Sequence, residues 1–141
     1  MPDSANTLLD HLAAALGSRT EVREAYLFGS HARGLAQPHS DIDVAVYVDE
    51  GALATSGYGY AAELTAFLMQ QLATNAIDVV VLNHAPPLLY HRVLRDGHRL
   101  VSRDLRATTT REGYALSRYL DFLPQMAKME AARSTARHDS R

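Results

Sequence analysis

The sequence contains no cysteine. That removes disulfides, thiolate zinc sites, iron–sulfur ligation and thiol nucleophiles from consideration. No apolar run approaches the roughly 18 residues that a membrane span requires. Met1-Pro2-Asp3-Ser4 is acidic and polar, and no apolar signal region follows it. The expectation is therefore a soluble, cytoplasmic protein. Positive charge is scarce over most of the chain: residues 1–102 carry 6 Lys+Arg against 11 Asp+Glu, a net charge of −5. An acidic body is a poor match for a phosphate backbone, so direct nucleic-acid binding is not expected. The balance reverses in residues 103–141, with 8 basic and 5 acidic residues and a net charge of +3. This basic end is a candidate docking surface for something acidic, set against the plainer reading of a solvated helix with a frayed tail.

What is present is ordinary globular composition: 141 residues, 47% hydrophobic and 21% charged, suited to one domain. Leu8, Leu9, Leu12, Ala15 and Leu16 recur at helical spacing and predict a helix over 5–16, with Gly17 as its stop. Val22 to Phe28 reads as a strand ending at Gly29. In Asp41 to Val48 the side chains alternate, with Asp41, Asp43, Ala45 and Tyr47 on one side and Ile42, Val44, Val46 and Val48 on the other. Ser30–Ser40 is long enough for a turn or two of helix plus a loop. Gly51 to Gly59 holds three glycines and reads as a mobile loop. Tyr60 to Leu72 predicts an amphipathic helix with Leu64, Phe67, Leu68 and Leu72 on one face. Ile77 to Leu82 predicts a strand covered on both faces. Pro86-Pro87 opens a further helix that Gly97 caps, and His98–Ser102 reads as an edge strand. Leu105 to about Lys128 predicts a long helix. The resulting α-β-α-β-α-β-α order argues for a mixed α/β domain. The expected organisation is one domain over 1–105, a helix over 106–128 continuous with it, and a disordered tail over 129–141.

The chemistry concentrates in Gly29-Ser30, ten residues, then Asp41-Ile42-Asp43, with Asp78 opening the next strand. Asp41 and Asp43, two apart on a strand, share a side, and their like charges repel unless a cation sits between them. Oxygen ligands without Cys or His favour Mg²⁺ or Mn²⁺ over Zn²⁺. If the strand bearing Asp78 lies alongside, three carboxylates meet at one sheet edge, the arrangement of a two-metal phosphoryl-transfer site. Gly29 lets backbone N–H groups approach a phosphate closely, and the Ser30 hydroxyl can donate to it. Arg33 could meet a phosphate or brace Asp41 or Asp43. Gly34 ends the short helix, and Ser40 braces the approach to Asp41. His31 sits beside this turn.

Other features are weaker. His84, His91 and His98 recur every seven residues, but Pro86-Pro87 and Gly97 interrupt any common helix, so they read as scattered surface histidines. Tyr58 and Tyr60 read as packing residues rather than base-stacking ones. Tyr114, Leu116, Tyr119, Leu120 and Leu123 form a stripe that either packs on the domain or meets a partner, with packing favoured at its start and partner contact at its end.

Gly29-Ser30-x2-Arg33-Gly34-x5-Ser40-Asp41-Ile42-Asp43, with Asp78 later, resembles the polymerase-beta-type nucleotidyltransferase superfamily. The short length points to its minimal nucleotidyltransferase (MNT) branch, and the likeness covers about residues 5–105. It implies a short mixed β-sheet flanked by helices, with a long C-terminal helix, and Mg²⁺-dependent attack on the α-phosphate of ATP with release of pyrophosphate. It further implies two metal ions held by Asp41, Asp43 and Asp78, with Asp78 helping to activate the acceptor hydroxyl. Gly29 and Ser30 would hold the β- and γ-phosphates, and Arg33 would assist. Many members of the minimal branch resemble antitoxins that transfer AMP to a tyrosine of a HEPN toxin, a helical ribonuclease. The resemblance thus implies a HEPN partner, met through the 105–128 helix. Two alternatives stay open: a small-molecule acceptor, as in aminoglycoside nucleotidyltransferases, or an antitoxin that neutralises by binding alone.

Overall fold

The computed structural model describes residues 4–56 and 59–139. Helix α1 (Ser4–Gly17) leads into strand β1 (Val22–Phe28), a single helical turn α2 (Gly29–Ala32) and strand β2 (Ile42–Val48). Two helices follow, α3 (Glu50–Ser56) and α4 (Tyr60–Leu72), then strand β3 (Ile77–Val81). A 3-10 turn over Leu82–His84 precedes helix α5 (Pro87–Asp96), strand β4 (His98–Ser102) and the long helix α6 (Leu105–Asp139). The four strands form one mixed sheet in the order β3-β2-β1-β4. β1 is antiparallel to both β2 and β4, and β2 is parallel to β3.

The alternation in β2 sorts the molecule into two layers. Val44, Val46 and Val48 turn toward α1 and α4, where they meet Leu12, Leu16, Leu64 and Leu68, all fully buried. Ala45 and Tyr47 turn the other way and join Tyr26, Phe28, Tyr90, Val93 and Ala115 beneath α5 and α6. Asp43 has the same parity as Ala45, so it belongs to this second face. In β3, Val79 and Val81 pack on one cluster and Val80 on the other. Both faces of β3 are therefore contacted, yet Val79–Val81 are only half-buried because β3 is an edge strand.

Two segments differ from the expectations. Residues 50–56 form α3 rather than part of a glycine-rich loop. The reason is Asp49, whose carboxylate accepts the Gly51 N–H at 2.9 Å and whose carbonyl accepts the Ala52 N–H at 2.9 Å. These bonds satisfy orphan donors of the first turn, and Leu53 packs the helix onto the core. The rest of that stretch, including Tyr58, lies outside the described residues. The second difference is the end of α6. It runs to Asp139 instead of ending near Lys128, so residues 129–139 are helical where a frayed tail is expected. Met126 to Arg133 is rich in Ala, Met, Lys, Glu and Arg, strong helix formers that need no burial.

The first half of α6 is locked down by charge. Asp104 caps it, accepting from the N–H groups of Arg106 at 3.1 Å and Ala107 at 3.3 Å. Glu24 of β1 is fully buried. It accepts from the Thr108 hydroxyl at 3.0 Å and from Nε and Nη2 of the Arg111 guanidinium. Tyr26 donates to Glu112 at 2.7 Å, and Arg99 of β4 pairs with the same carboxylate. Beyond Tyr119, which stacks on His91 with ring centroids 3.6 Å apart, no described residue of α6 is buried. The stripe expected to pack at its start is corrected here: Tyr114 is 68% exposed, and packing runs instead through Thr108, Ala115 and Tyr119.

Candidate active site

β1 ends at Phe28, and the chain must turn sharply over the neighbouring strand. Gly29 makes that turn with φ +74. Only glycine fits for two reasons: the backbone is left-handed, and a Cβ there would overlap the Asp43 carboxylate. The main chain of the turn therefore lies against Asp43. Arg33 N–H returns to the Gly29 carbonyl at 3.2 Å, Leu35 N–H to the Ser30 carbonyl at 2.9 Å, and Gly34 exits with φ +70. The Ser30 hydroxyl has no partner among the described residues.

Asp43 is paired in register with Phe28 on one side and with Asp78 on the other. Adjacent strands stand about 4.8 Å apart, so the two aspartates emerge side by side on one face. Asp41 lies one residue before β2, in a turn that Ser40 closes by accepting the Gln37 N–H at 2.8 Å. Burial raises the Asp43 pKa above its ordinary value, the carboxylates of Asp78 and Asp41 raise it further, and His31 opposes them. Asp43 thus feels the charge of both other acids. Among the described residues the three acids are not drawn into a ready-made group of metal ligands. The donor set is nonetheless all hard oxygen, and a cation would offset the charge repulsion that raises Asp43. In donor chemistry the residues fit a Mg²⁺ or Mn²⁺ ion.

Arg33 sits at the C-cap of α2, exposed. It makes no ion pair with Asp41 or Asp43 among the described residues. Its charge is felt at Asp96, whose pKa is lowered mainly by Arg95 and further by Arg33 and Arg92. A cavity of about 560 Å³ lies between α5, α6 and β1; Tyr26, Leu94, Gly97, Arg99 and Leu116 help line it, but none of the three acids does.

Two contacts near the turn escape sequence reasoning. The His31 ring nitrogen lies 3.2 Å from the Ser40 carbonyl, and the His98 ring nitrogen lies 2.8 Å from the Ala32 carbonyl. His98 is therefore no free surface histidine, and neither is His91 in its stack on Tyr119. Nothing local in the sequence signals these pairings, one of which spans 66 residues. Glu24 leaves a faint signal: it shares the parity of Tyr26 and Phe28, so an acid there must find a buried partner.

The polymerase beta nucleotidyltransferase family model matches residues 10–106. No curated protein matches the sequence. Among solved structures, a tri-AMPylated Shewanella oneidensis HEPN toxin in complex with an MNT antitoxin is similar at 22% identity and TM-score 0.63, covering 90% of this chain and 98% of that one. A toxin–antitoxin crystallised with AMP-PNP is 22% identical at TM-score 0.58, covering 93% and 96%. The toxin–antitoxin MntA-HepT is 21% identical at TM-score 0.53, covering 94% and 97%. At such identities these likenesses speak for the fold. Among the described residues no helix is long and apolar enough to cross a membrane.

Proposed function

This chain belongs to the polymerase beta nucleotidyltransferase family, and on that premise we propose that it transfers AMP from ATP to a tyrosine hydroxyl of a HEPN toxin, acting as the antitoxin. The observation that carries this reading is the Asp43–Asp78 pair, in register on parallel strands beside a glycine turn whose backbone abuts Asp43. The likeness to an MNT antitoxin bound to an AMPylated HEPN toxin, and to a toxin–antitoxin with AMP-PNP, supports the choice of nucleotide and partner.

Asp41, Asp43 and Asp78 would hold two Mg²⁺ ions, or Mn²⁺ in their place. Bound there, the metal supplies charge neutralisation at the triphosphate and at the attacking oxygen. The backbone N–H groups at Gly29 and Ser30, with the Ser30 hydroxyl, hold the β- and γ-phosphates. Arg33, exposed at the end of the turn, adds positive charge to the approach path. The acceptor hydroxyl loses its proton near Asp78 and attacks the α-phosphorus. A new O–P bond forms, the bond between the α-phosphorus and its bridging oxygen breaks, and pyrophosphate leaves. The toxin docks on α6, where Leu116 and Leu120 are 47% and 54% exposed and basic charge is in excess. The 105–128 segment of that helix carries both the anchor to the sheet and the exposed apolar stripe.

Mixing the chain with the toxin, Mg²⁺ and α-labelled ATP tests the reading. The toxin gains label, and an Asp41→Ala/Asp43→Ala variant neither labels nor neutralises it. Neutralisation that survives in the double variant would replace transfer with simple binding. A toxin that forms a tight complex but takes no label would point to an antitoxin that neutralises by binding alone, with small-molecule acceptors next to be screened.

A further inference from the structure

Helix α2 is one turn long, and a single turn fixes about six dihedrals for one hydrogen bond. It needs outside support to keep one shape. Packing supplies only part of it, at Ala32, which rests against the core. Behind the turn lies a cavity of about 220 Å³, walled by Leu8, Leu9 and Leu27 on one side and by His31, Ala32 and His98 on the other. Two imidazoles bracket the turn instead. His31 reaches forward to the Ser40 carbonyl at 3.2 Å, tying the turn to the residue before Asp41. His98 reaches across from β4 to the Ala32 carbonyl at 2.8 Å.

His98 is well placed to act as a fixed post. Its strand partner is Leu27, two residues before Gly29. The residue before it, Gly97, is pinned between α5 and β1: a Cβ there would overlap the Val93 carbonyl and lie 3.2 Å from the Leu27 carbonyl. The base of His98 is therefore set by the sheet, while its ring holds a carbonyl that the short helix leaves without an intrahelical donor. Nε2–H is a donor in one neutral tautomer and in the charged ring alike, so this clamp needs no particular charge.

We propose that His98 is a positioning residue for the Gly29–Arg33 turn, clamping the Ala32 carbonyl so that the turn presents a single pose to the nucleotide. The proposal rests on the reading that this turn holds the β- and γ-phosphates of ATP. His98 touches neither phosphate nor acceptor and acts through Ala32.

Calorimetric titration of the full chain with ATP and Mg²⁺ tests it, on wild type, His98→Ala, His98→Gln and Ser30→Ala. Losing one hydrogen bond that fixes the turn weakens ATP binding about fivefold in His98→Ala. The thermal midpoint moves by no more than about 2 °C, since an exposed side chain takes little packing with it. The Gln amide N–H restores most of the affinity, a rescue that loss of ring packing would not allow. In the transfer assay the defect falls on the KM for ATP rather than on kcat. Wild-type affinity in His98→Ala, or equal weakness in His98→Gln, overturns the clamp. If Ser30→Ala weakens ATP binding while His98→Ala does not, the clamp alone fails. If both variants bind ATP as wild type does, the phosphate-holding reading fails and the clamp falls with it.

Discussion

On the α1–α4 side of the sheet, Val44, Val46 and Val48 pack into a cluster of buried apolar residues. On the α5–α6 side the intervening positions are Asp43, Ala45 and Tyr47, and β1 adds Glu24 and Tyr26. One strand thus feeds an apolar core with its even residues, while its odd ones give the second face the acid Asp43 as well as the packed Ala45 and Tyr47. The two buried or half-buried acids on that second surface are handled in opposite ways. Glu24 is fully compensated by Arg111 and Thr108. Asp43 faces Asp78 and Asp41, with only His31 to offset them. A paired acid fastens a helix to the sheet. An acid held among its own kind costs stability and is retained where a cation or substrate relieves it.

The comparison breaks first at Asp43. Asp43→Asn keeps shape and volume but removes the charge, and AMP transfer falls by about 10³-fold or more, the scale of losing several kcal/mol of transition-state stabilisation. Single-turnover label transfer reads this directly. Transfer within a factor of a few of wild type would make Asp43 an ordinary strand residue.

At the other acid the effect falls on stability. Glu24→Ala leaves the Arg111 guanidinium without its carboxylate and the Thr108 hydroxyl with Ser102 alone, costing about 3 kcal/mol. Urea unfolding measures it as a lower midpoint, while Asp41, Asp43 and Asp78 remain in place. A smaller penalty is expected for Glu24→Gln, which keeps an acceptor for Thr108.

The exposed half of α6 provides a control that belongs to neither core. Leu120→Asp, at a position 54% exposed, leaves the free chain's unfolding midpoint unchanged and weakens toxin binding about tenfold. Undiminished affinity would move the docking surface off this helix.

The smallest effect sharpens the contrast between the two acids. With its pKa raised in the folded state, Asp43 binds a proton more tightly folded than unfolded. Stability of the metal-free chain therefore falls as pH rises from the ordinary carboxylate pKa through the raised one, and the penalty persists above it. Asp43→Asn removes that penalty. The variant is slightly more stable than wild type at neutral pH, and the advantage shrinks as the pH falls through the raised pKa and is gone below the ordinary carboxylate range. Thermal midpoints in buffers without divalent metal check the sign.

The layering was legible in the sequence because a strand alternates with period two, so Asp43 and Val44 could be assigned to opposite faces without any tertiary information. The glycine at 29 was legible as a close approach, though not that Asp43 is what it approaches. Helix α3 was hidden by Gly51 and by Gly57 and Gly59 beyond its end, and what decides it is a local cap from Asp49 rather than apolar spacing. The length of α6 was hidden because residues past Lys128 bury nothing, and only intrinsic propensity speaks for helix there. The contacts of Glu24 with Thr108 and Arg111, and of His98 with Ala32, join positions 66 to 87 residues apart. No periodicity carries such pairings.

The account stands on the claim that the charged face transfers a nucleotide, so the first measurement is a paired labelling of the toxin. One reaction uses ATP labelled at the α-phosphate and its twin uses ATP labelled at the γ-phosphate, both with Mg²⁺. Label on the toxin from the α-position, none from the γ-position, and none from either with Asp43→Asn is the predicted result. Label arriving from the γ-position, or arriving equally well with Asp43→Asn, would contradict it.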